Sequence, residues 1–406
     1  MLGIIDIMFL VFVFVTMFFS FLFLVLYLEH RKRDEKIKED FFPTVSVVIP
    51  AFNEEKTILS TINAIKNLNY PNLSEIIVVD DGSSDKTREL AESAGVKVLT
   101  KENQGQKSFP LNFALPHVKG KIMACVDADS YPEPNSLRKA VPFFKDEKVA
   151  SVTTSVYVRN AKTIIERLQS IEYVLIVWAR KLLELLDSIY VTPGALSLYR
   201  TDILRKIGGF DDNNITEDIE IAWRFLYNGY KIKMSLDSEV CTGIPPSFKD
   251  WGQQRVRWAI GGIQTTLKYI PKLFKSKEST LTFAASFFVL SYSFSIVGFF
   301  IFIYIIYQKI SEFLYYFINA YMMGTGVISR NALNVITVPN IFATFGLVIL
   351  ILAIVWVAIS YRRTGRNLRG IGDLFDLILY LSLYITLFPA ILIYATTLLL
   401  MNKIKW

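Results

Sequence analysis

Glu75-Ile76-Ile77-Val78-Val79-Asp80-Asp81-Gly82-Ser83 decides the fold of this chain. Four β-branched residues in a row, with no polar alternation, suit a strand covered on both faces. The run stops at two carboxylates and a Gly-Ser turn, so the acids stand at the strand's carboxyl end. Upstream, Val45-Ser46-Val47-Val48-Ile49 is a similar run, stopped by Pro50, and Glu54 to Ile65 between them has helical spacing. Downstream, Asp85 to Ala94 reads as a helix, Val96 to Leu99 as a strand and Ile122 to Val126 as another. Strands alternating with helices predict an α/β domain with a mostly parallel sheet. Ligands bind such sheets beyond the carboxyl ends of the strands. Pro50 to Glu54, Asp80-Asp81 and Asp127 to Asp129 all fall there.

Composition places this domain at a membrane. The chain has 406 residues, 52% of them hydrophobic, with a positive mean hydropathy. Crossing a bilayer takes roughly 20 helical residues. Stretches of that length run from about Leu2 to Leu28, Leu281 to Tyr307, Val338 to Ser360 and Leu374 to Met401. The first is too long for a signal peptide and lacks a basic leader, so it reads as an anchor. Phe313 to Met323 is apolar but short, which fits a re-entrant or interfacial helix. Arg31, Lys32, Arg33, Lys36 and Lys38 follow the first span. Lys268, Lys272, Lys275 and Lys277 precede the second, and Arg362, Arg363, Arg366 and Arg369 separate the third from the fourth. Only Lys309, Arg330, Lys403 and Lys405 lie on the other side. The bias predicts a multi-pass cell-membrane protein, the middle of the chain cytoplasmic and both termini outside. These junctions, facing anionic lipid, account for the net charge of +7, and nucleic acid is not an expected partner. Cys125 and Cys241 are too few for a disulfide framework.

Chemistry concentrates in Asp127-Ala128-Asp129, Thr216-Glu217-Asp218 and Gln254-Arg255-Val256-Arg257-Trp258. A carboxylate pair can hold a divalent cation against a diphosphate. A later carboxylate can take a proton from an attacking hydroxyl. Arginine suits a phosphate and tryptophan a sugar face. Each also has a plain structural reading. Asp-x-Asp can be a strand-end turn, Asp80-Asp81-Gly-Ser a turn before a helix capped by Ser84 or Asp85, and Thr-Glu-Asp a helix start with Thr216 as cap. Trp251 and Trp258 can be interfacial anchors, the reading favoured for Trp251. The apolar stripe Ile164, Leu168, Ile171, Leu175, Trp178, Leu182 and Leu185 reads as packing.

Val47 to Glu55, Val78 to Ser83, Asp127 to Asp129, Gly208-Gly209-Phe210, Thr216 to Asp218 and Gln254 to Trp258 together resemble family-two glycosyltransferases. The closer likeness is to the membrane-embedded processive branch, the synthases of hyaluronan, chitin oligosaccharides, poly-N-acetylglucosamine and cellulose. The motifs cover about residues 45 to 262. The resemblance implies a GT-A nucleotide-binding domain (31–278, with interfacial helices) set between an amino-terminal transmembrane helix (1–30) and three more (279–406). An outer loop at 308–337 and a basic inner loop at 361–373 would connect those three. It implies a UDP-sugar donor, Mg2+ or Mn2+, and inversion at the anomeric carbon. Asp129 would be the direct metal ligand and Asp127 would sit nearer the ribose and metal. Pro50, Ala51, Glu54, Asp80, Asp81 and Lys107 would line the nucleotide-sugar. Asp218 would be the general base, with Glu217, Gln254, Arg257 and Trp258 on the acceptor and diphosphate side. Lys107 follows Gln106, where family members often have Gly. The acceptor it implies would be a growing polysaccharide, UDP-GlcNAc or UDP-glucose being candidate donors. The alternative is one sugar moved to polyprenyl phosphate or diacylglycerol. Four spans are few for an enclosed polymer channel, which points to a homodimer or an accessory subunit.

Overall fold

The structure, a computed structural model, describes residues 4–30, 38–273, 279–323, 341–367, 370–401 and 403. Arg31, Lys32, Arg33, Lys36, Lys275, Lys277, Arg330, Arg369 and Lys405, with the expected span starts Leu2 and Val338, lie outside the described residues.

Strands β1 (Val45–Ala51), β2 (Leu73–Asp80), β3 (Lys97–Thr100) and β4 (Ile122–Cys125) pair in parallel. Strands β5 (Ser130–Pro132), β6 (Val149–Val158), β7 (Ser197–Arg200) and β8 (Lys231–Thr242) complete a sheet of order β3-β2-β1-β4-β7-β6-β8-β5. This second half is mixed. β7 is antiparallel to β4 and β6, β8 is parallel to β6, and β5 is antiparallel to β8. The order has a direct consequence for the site. Because β7 runs against β4, with Cys125 opposite Ser197, the segment entering β7 meets the end of β4. Because β5 pairs Ser130 with Thr242, the end of β8 meets the residues just after β4.

Helices α2 (Ile58–Lys66), α3 (Thr87–Ser93), α4 (Ser108–Ala114), α5 (Ser136–Ala140), α6 (Ile164–Glu184), α7 (Thr201–Lys206), α8 (Glu217–Tyr227) and α9 (Phe248–Leu273) accompany the sheet. α2 buries Ile58, Thr61, Ile62 and Ile65 at helical spacing. It begins four residues later than the spacing predicts. Glu54 to Thr57 is instead a turn in which Glu54 O accepts from both Thr57 N and Ile58 N. β1 runs on through Pro50, which stands opposite Val79.

Helices α1 (Ile4–His30), α10 (Ser279–Met322), α11 (Ile341–Arg363) and α12 (Ile371–Leu400) are each long and apolar enough to cross a membrane. Phe313 to Met322 is no separate re-entrant piece, since it continues the 44-residue helix α10. At 1.5 Å per residue α10 is roughly 66 Å long, about twice the hydrocarbon thickness of a bilayer. The expected outer loop therefore starts as helix.

The α/β body is fastened to these helices. Ile260 of α9 packs with Leu392 and Ala395 of α12, and Leu168 and Ile171 of α6 with Val357, Leu377 and Tyr380. Arg167 on α6 binds both oxygens of Asp376, at 2.7 and 3.2 Å. Arg366 pairs with Glu239 at 2.6 Å and lies 4.0 Å from the Tyr157 ring centre. Arg363 lies over the rings of Tyr27 and Trp178. Arg363 and Arg366 thus also have partners within the protein, besides the lipid surface expected for them. Lys268 is likewise bound to Asp211 and Glu220.

Candidate active site

The residues expected to line a nucleotide stand on the carboxyl ends of β1 and β2. Asn53 adopts a left-handed backbone (φ 57°) and its side-chain oxygen accepts from Ser84 N at 2.9 Å. Asn53 N donates to Ser83 Oγ and Glu54 N to Thr87 Oγ1, so the 50–54 segment is stitched to the 80–87 turn. Pro50 is half-buried and Ala51 buried. Asp80 Oδ1 accepts from Ser83 N, closing the turn, while Asp81 pairs with Lys101 at 2.7 Å. Lys101 was not among the expected site residues. The expected cap on α3 is only partly present: Asp85 accepts from Thr87 N, but the cap position belongs to Lys86.

Past the end of β4 the two aspartates diverge. Asp127 N donates to Gly194 O, and Lys107 forms an ion pair with the Asp127 carboxylate. Asp129 Oδ1 accepts from Thr242 Oγ1 and Ser130 Oγ, both at 3.3 Å, the contacts dictated by β5–β8 pairing. Its Oδ2 packs so near Gly243 that a Cβ there would sit 2.9 Å away. Burial first, then the charges of Asp127 and Glu54, push the Asp129 pKa up to about 6, against the pull of Lys107. Burial thus weighs most against the Asp129 charge, and the neighbouring carboxylates add to it. No cluster of three His, Cys, Asp or Glu stands among the described residues. Magnesium and manganese need no such cage, since one or two carboxylates and the substrate's phosphates suffice. The donor set Asp127, Asp129 fits such an ion.

Thr216-Glu217-Asp218 opens α8 on the same space. Lys107 Nζ, already paired with Asp127, reaches Glu217 Oε1 at 3.7 Å. Burial works against the Lys107 charge, but Asp127 and Glu217 hold its pKa above the ordinary lysine value. Asp218 is the most perturbed acid of the group, with its pKa raised to about 7. Burial is the main cause and Glu217 the second, opposed by Lys107 and Arg257. Thr216 occupies the cap position of α8 without capping it. Its hydroxyl donates to Asn214 Oδ1 at 3.2 Å, which corrects the capping expectation.

The segment Thr192-Pro193-Gly194, which the sequence reading passed over, joins the two halves. Thr192 N and Oγ1 both donate to Asp218 O, at 3.1 and 3.0 Å, while Gly194 O receives Asp127 N. A Cβ on Gly194 would land on Lys107 Nζ and 2.8 Å from Asp127 Oδ1. A Pro-Gly pair just before a strand was its only trace in the sequence.

Gln254, Arg257 and Trp258 share α9. Gln254, Arg257 and Trp258 are half-buried, and Arg257 stands within electrostatic reach of Asp218. Trp251 is buried (5% exposed) against Phe248 and Arg255, so it is packing and not a lipid anchor.

The chain matches the family model described as glycosyltransferase like family 2 over residues 43–261. It belongs to that family. It is 35% identical over 270 residues to the probable glycosyltransferase YdaM of Bacillus subtilis (strain 168), covering 64% of each chain. It is 29% identical over 243 residues to a poly-β-1,6-N-acetyl-D-glucosamine synthase of Staphylococcus epidermidis, covering 58% of this chain and 59% of the other. The matches thus span less than two thirds of these curated relatives. Among solved structures, the mannosyltransferase PcManGT from Pyrobaculum calidifontis, in complex with GDP-Man and Mn2+, is similar over 97% of this chain and 99% of that one. Its TM-score is 0.56 at 19% identity, a likeness of fold. The α/β body is therefore a GT-A-type glycosyltransferase domain, flanked by apolar helices, and the protein is an enzyme of the family.

Proposed function

We propose that the protein moves a sugar from a UDP-sugar to the growing end of a β-linked polysaccharide at a membrane, with inversion at the anomeric carbon. One observation carries this reading. Lys107 contacts Asp127 and reaches Glu217, so the donor carboxylates and the Asp218 helix face one space. An N-acetylglucosamine polymer is supported by the name of the Staphylococcus epidermidis relative; UDP-GlcNAc is the donor such a polymer would call for, with UDP-glucose as the other candidate.

In this reading the residues divide the work. Pro50, Ala51, Glu54, Asp80 and Asp81 line the nucleotide, with Asp81 accepting from the uracil. Asp127 and Asp129 hold Mg2+ or Mn2+, which when bound supplies neutralising charge to the diphosphate. Lys107 and Arg257 face the leaving diphosphate. Gln254 and Trp258 hold the acceptor sugar. The acceptor oxygen forms its bond to the anomeric carbon as the bond to the diphosphate breaks. The bonding pair leaves with UDP and the hydroxyl proton passes to Asp218. A carboxyl with a pKa of about 7 is matched to that task near neutral pH. In this reading the body is cytoplasmic, both termini are outside, and the chain works as a homodimer or with an accessory subunit.

The test is to incubate purified protein with each UDP-sugar and Mg2+ or Mn2+, then size the product. A polymer ladder from one donor is expected. A single glycolipid bearing one sugar would replace this reading with transfer to polyprenyl phosphate or diacylglycerol.

A further inference from the structure

We infer that Glu172 and Arg255 form a clamp that fixes the Trp258 ring, making both of them positioning residues for the acceptor. The inference rests on the acceptor role proposed above for Trp258.

Arg255 lies on α9 between the two tryptophans, one turn after Trp251 and one turn before Trp258. Its guanidinium is 4.1 Å from the Trp258 ring centre and 5.7 Å from that of Trp251. Its NH1 donates to Gln254 Oε1 at 2.6 Å, and its NH2 pairs with Glu172 of α6. Arg255 is 2% exposed and Glu172 4%. Taking two such charges out of water costs several kcal/mol each, and apolar side chains of similar volume often serve stability as well. Stability is therefore a weak reason for the pair. Its geometric consequence is specific, because a planar cation over an indole face holds the ring in one orientation.

The other end of the clamp is anchored too. α6 starts with a capping box between Thr163 and Glu166, and Gln169 donates to Pro245 O at 2.9 Å. Arg167, five residues before Glu172, is bound to Asp376 of α12. Glu172 thus has a fixed frame from which to hold Arg255, and Arg255 holds both Gln254 and Trp258.

The experiment uses the full chain in detergent, labelled with 5-fluorotryptophan and observed by fluorine NMR. The Trp258 resonance is the one lost in Trp258→Phe. In Arg255→Met it is expected to shift and broaden, with mean product length falling about fivefold, the factor equivalent to ~1 kcal/mol of lost cation–π contact. Arg255→Met/Trp258→Ala should be no shorter in product than Trp258→Ala alone. Because Arg255→Met leaves Glu172 buried and unpaired, it can misfold, so Glu172→Leu/Arg255→Met is measured alongside. There the clamp predicts a displaced Trp258 resonance in a folded protein. A Trp258 resonance and product ladder at wild-type values in that double variant would overturn the clamp. A displaced resonance with wild-type product length in Trp258→Ala would leave the clamp standing and sink the acceptor reading instead.

Discussion

Gly261 on α9 faces Thr216 at the start of α8 with no room for a side chain: a Cβ there would lie on the Thr216 hydroxyl and 2.6 Å from its Cβ. The contact belongs to a wider clasp. Asn214 donates to Thr265 Oγ1 at 2.9 Å, and Ile215 N to Gln264 Oε1 at 3.2 Å. The helix carrying Arg257 and Trp258 therefore also sets where the helix carrying Asp218 begins. Gly261→Ala should cost about 1–3 kcal/mol, the usual range for overpacking. It should also lower kcat by displacing Asp218. Gly252→Ala on the same helix, where a Cβ meets nothing within 4 Å, is the control and should melt no lower than wild type. Equal melting temperatures for the two variants would refute the clasp.

Asp218→Asn preserves shape and removes the proposed base. Turnover should fall by roughly 10²–10⁴ while UDP-sugar binding, read by calorimetry, persists. Loss of binding with normal turnover of bound donor would make Asp218 a donor ligand instead. The pH dependence follows from its pKa of about 7. Only the carboxylate can accept a proton, so kcat/KM should climb as pH rises through about 7, and Asp218→Asn should remove that limb. Stability runs the other way. The folded protein holds this proton to a higher pH than the unfolded chain. Its contribution is therefore full below the ordinary aspartate value of about 3.9 and is lost as pH rises through about 7.

Much of this was written in the sequence, for physical reasons that also explain the gaps. β4 and the carboxyl-terminal parts of β1 and β2 are buried on both faces and so appear as apolar runs, Ile122 to Cys125, Val47 to Ile49 and Ile77 to Val79, which put Asp127, Pro50 and Asp80 at strand ends. The mixed half of the sheet was not legible. β6 is buried along nearly its whole length yet reads Val-Ala-Ser-Val-Thr-Thr-Ser-Val-Tyr-Val, its hydroxyls satisfied by partners such as Leu198 O and Leu196 O. α10 was cut short because Gln308, Lys309 and Glu312 look like the end of a span, although nothing there breaks a helix and no Gly or Pro intervenes before Gly324. Contacts between distant positions leave no local trace. Glu172 pairs with Arg255 across 83 residues, and Glu172 lies next to Ile171 in the helix whose apolar stripe reads as packing.

Gly194→Ala should separate donor binding from folding. The added methyl meets the tip of Lys107 and, at 2.8 Å, the Asp127 carboxylate, both ends of side chains and not backbone, so the melting temperature should move little. Displacing that amine from Asp127 and Glu217 should raise the KM for UDP-sugar. An unchanged KM would remove Lys107 from the donor site.

The metal proposal predicts that excess chelator abolishes UDP release and that Mg2+ or Mn2+ restores it. Asp129→Asn should not be rescued by either ion. The crowding of Asp129 by Asp127 and Glu54 should also ease on that substitution, so the variant should melt no lower than wild type without metal. Full activity of wild type in chelator would end the metal role.

Trp258→Ala tests whether the enzyme polymerises. It removes the ring from α9 and with it the proposed stacking on the acceptor, worth about 1 kcal/mol or roughly fivefold in retention. It leaves Asp127, Asp129 and Lys107 in place. A processive enzyme that loses hold of its chain between additions makes shorter products, so the mass ladder should shift downward. UDP released per sugar incorporated should rise. A transferase that adds one sugar to a lipid has no chain to lose. It would give the same single mass from wild type and variant, in different amounts. A one-sugar species from the wild-type enzyme would therefore exclude the processive reading, whatever the variant does.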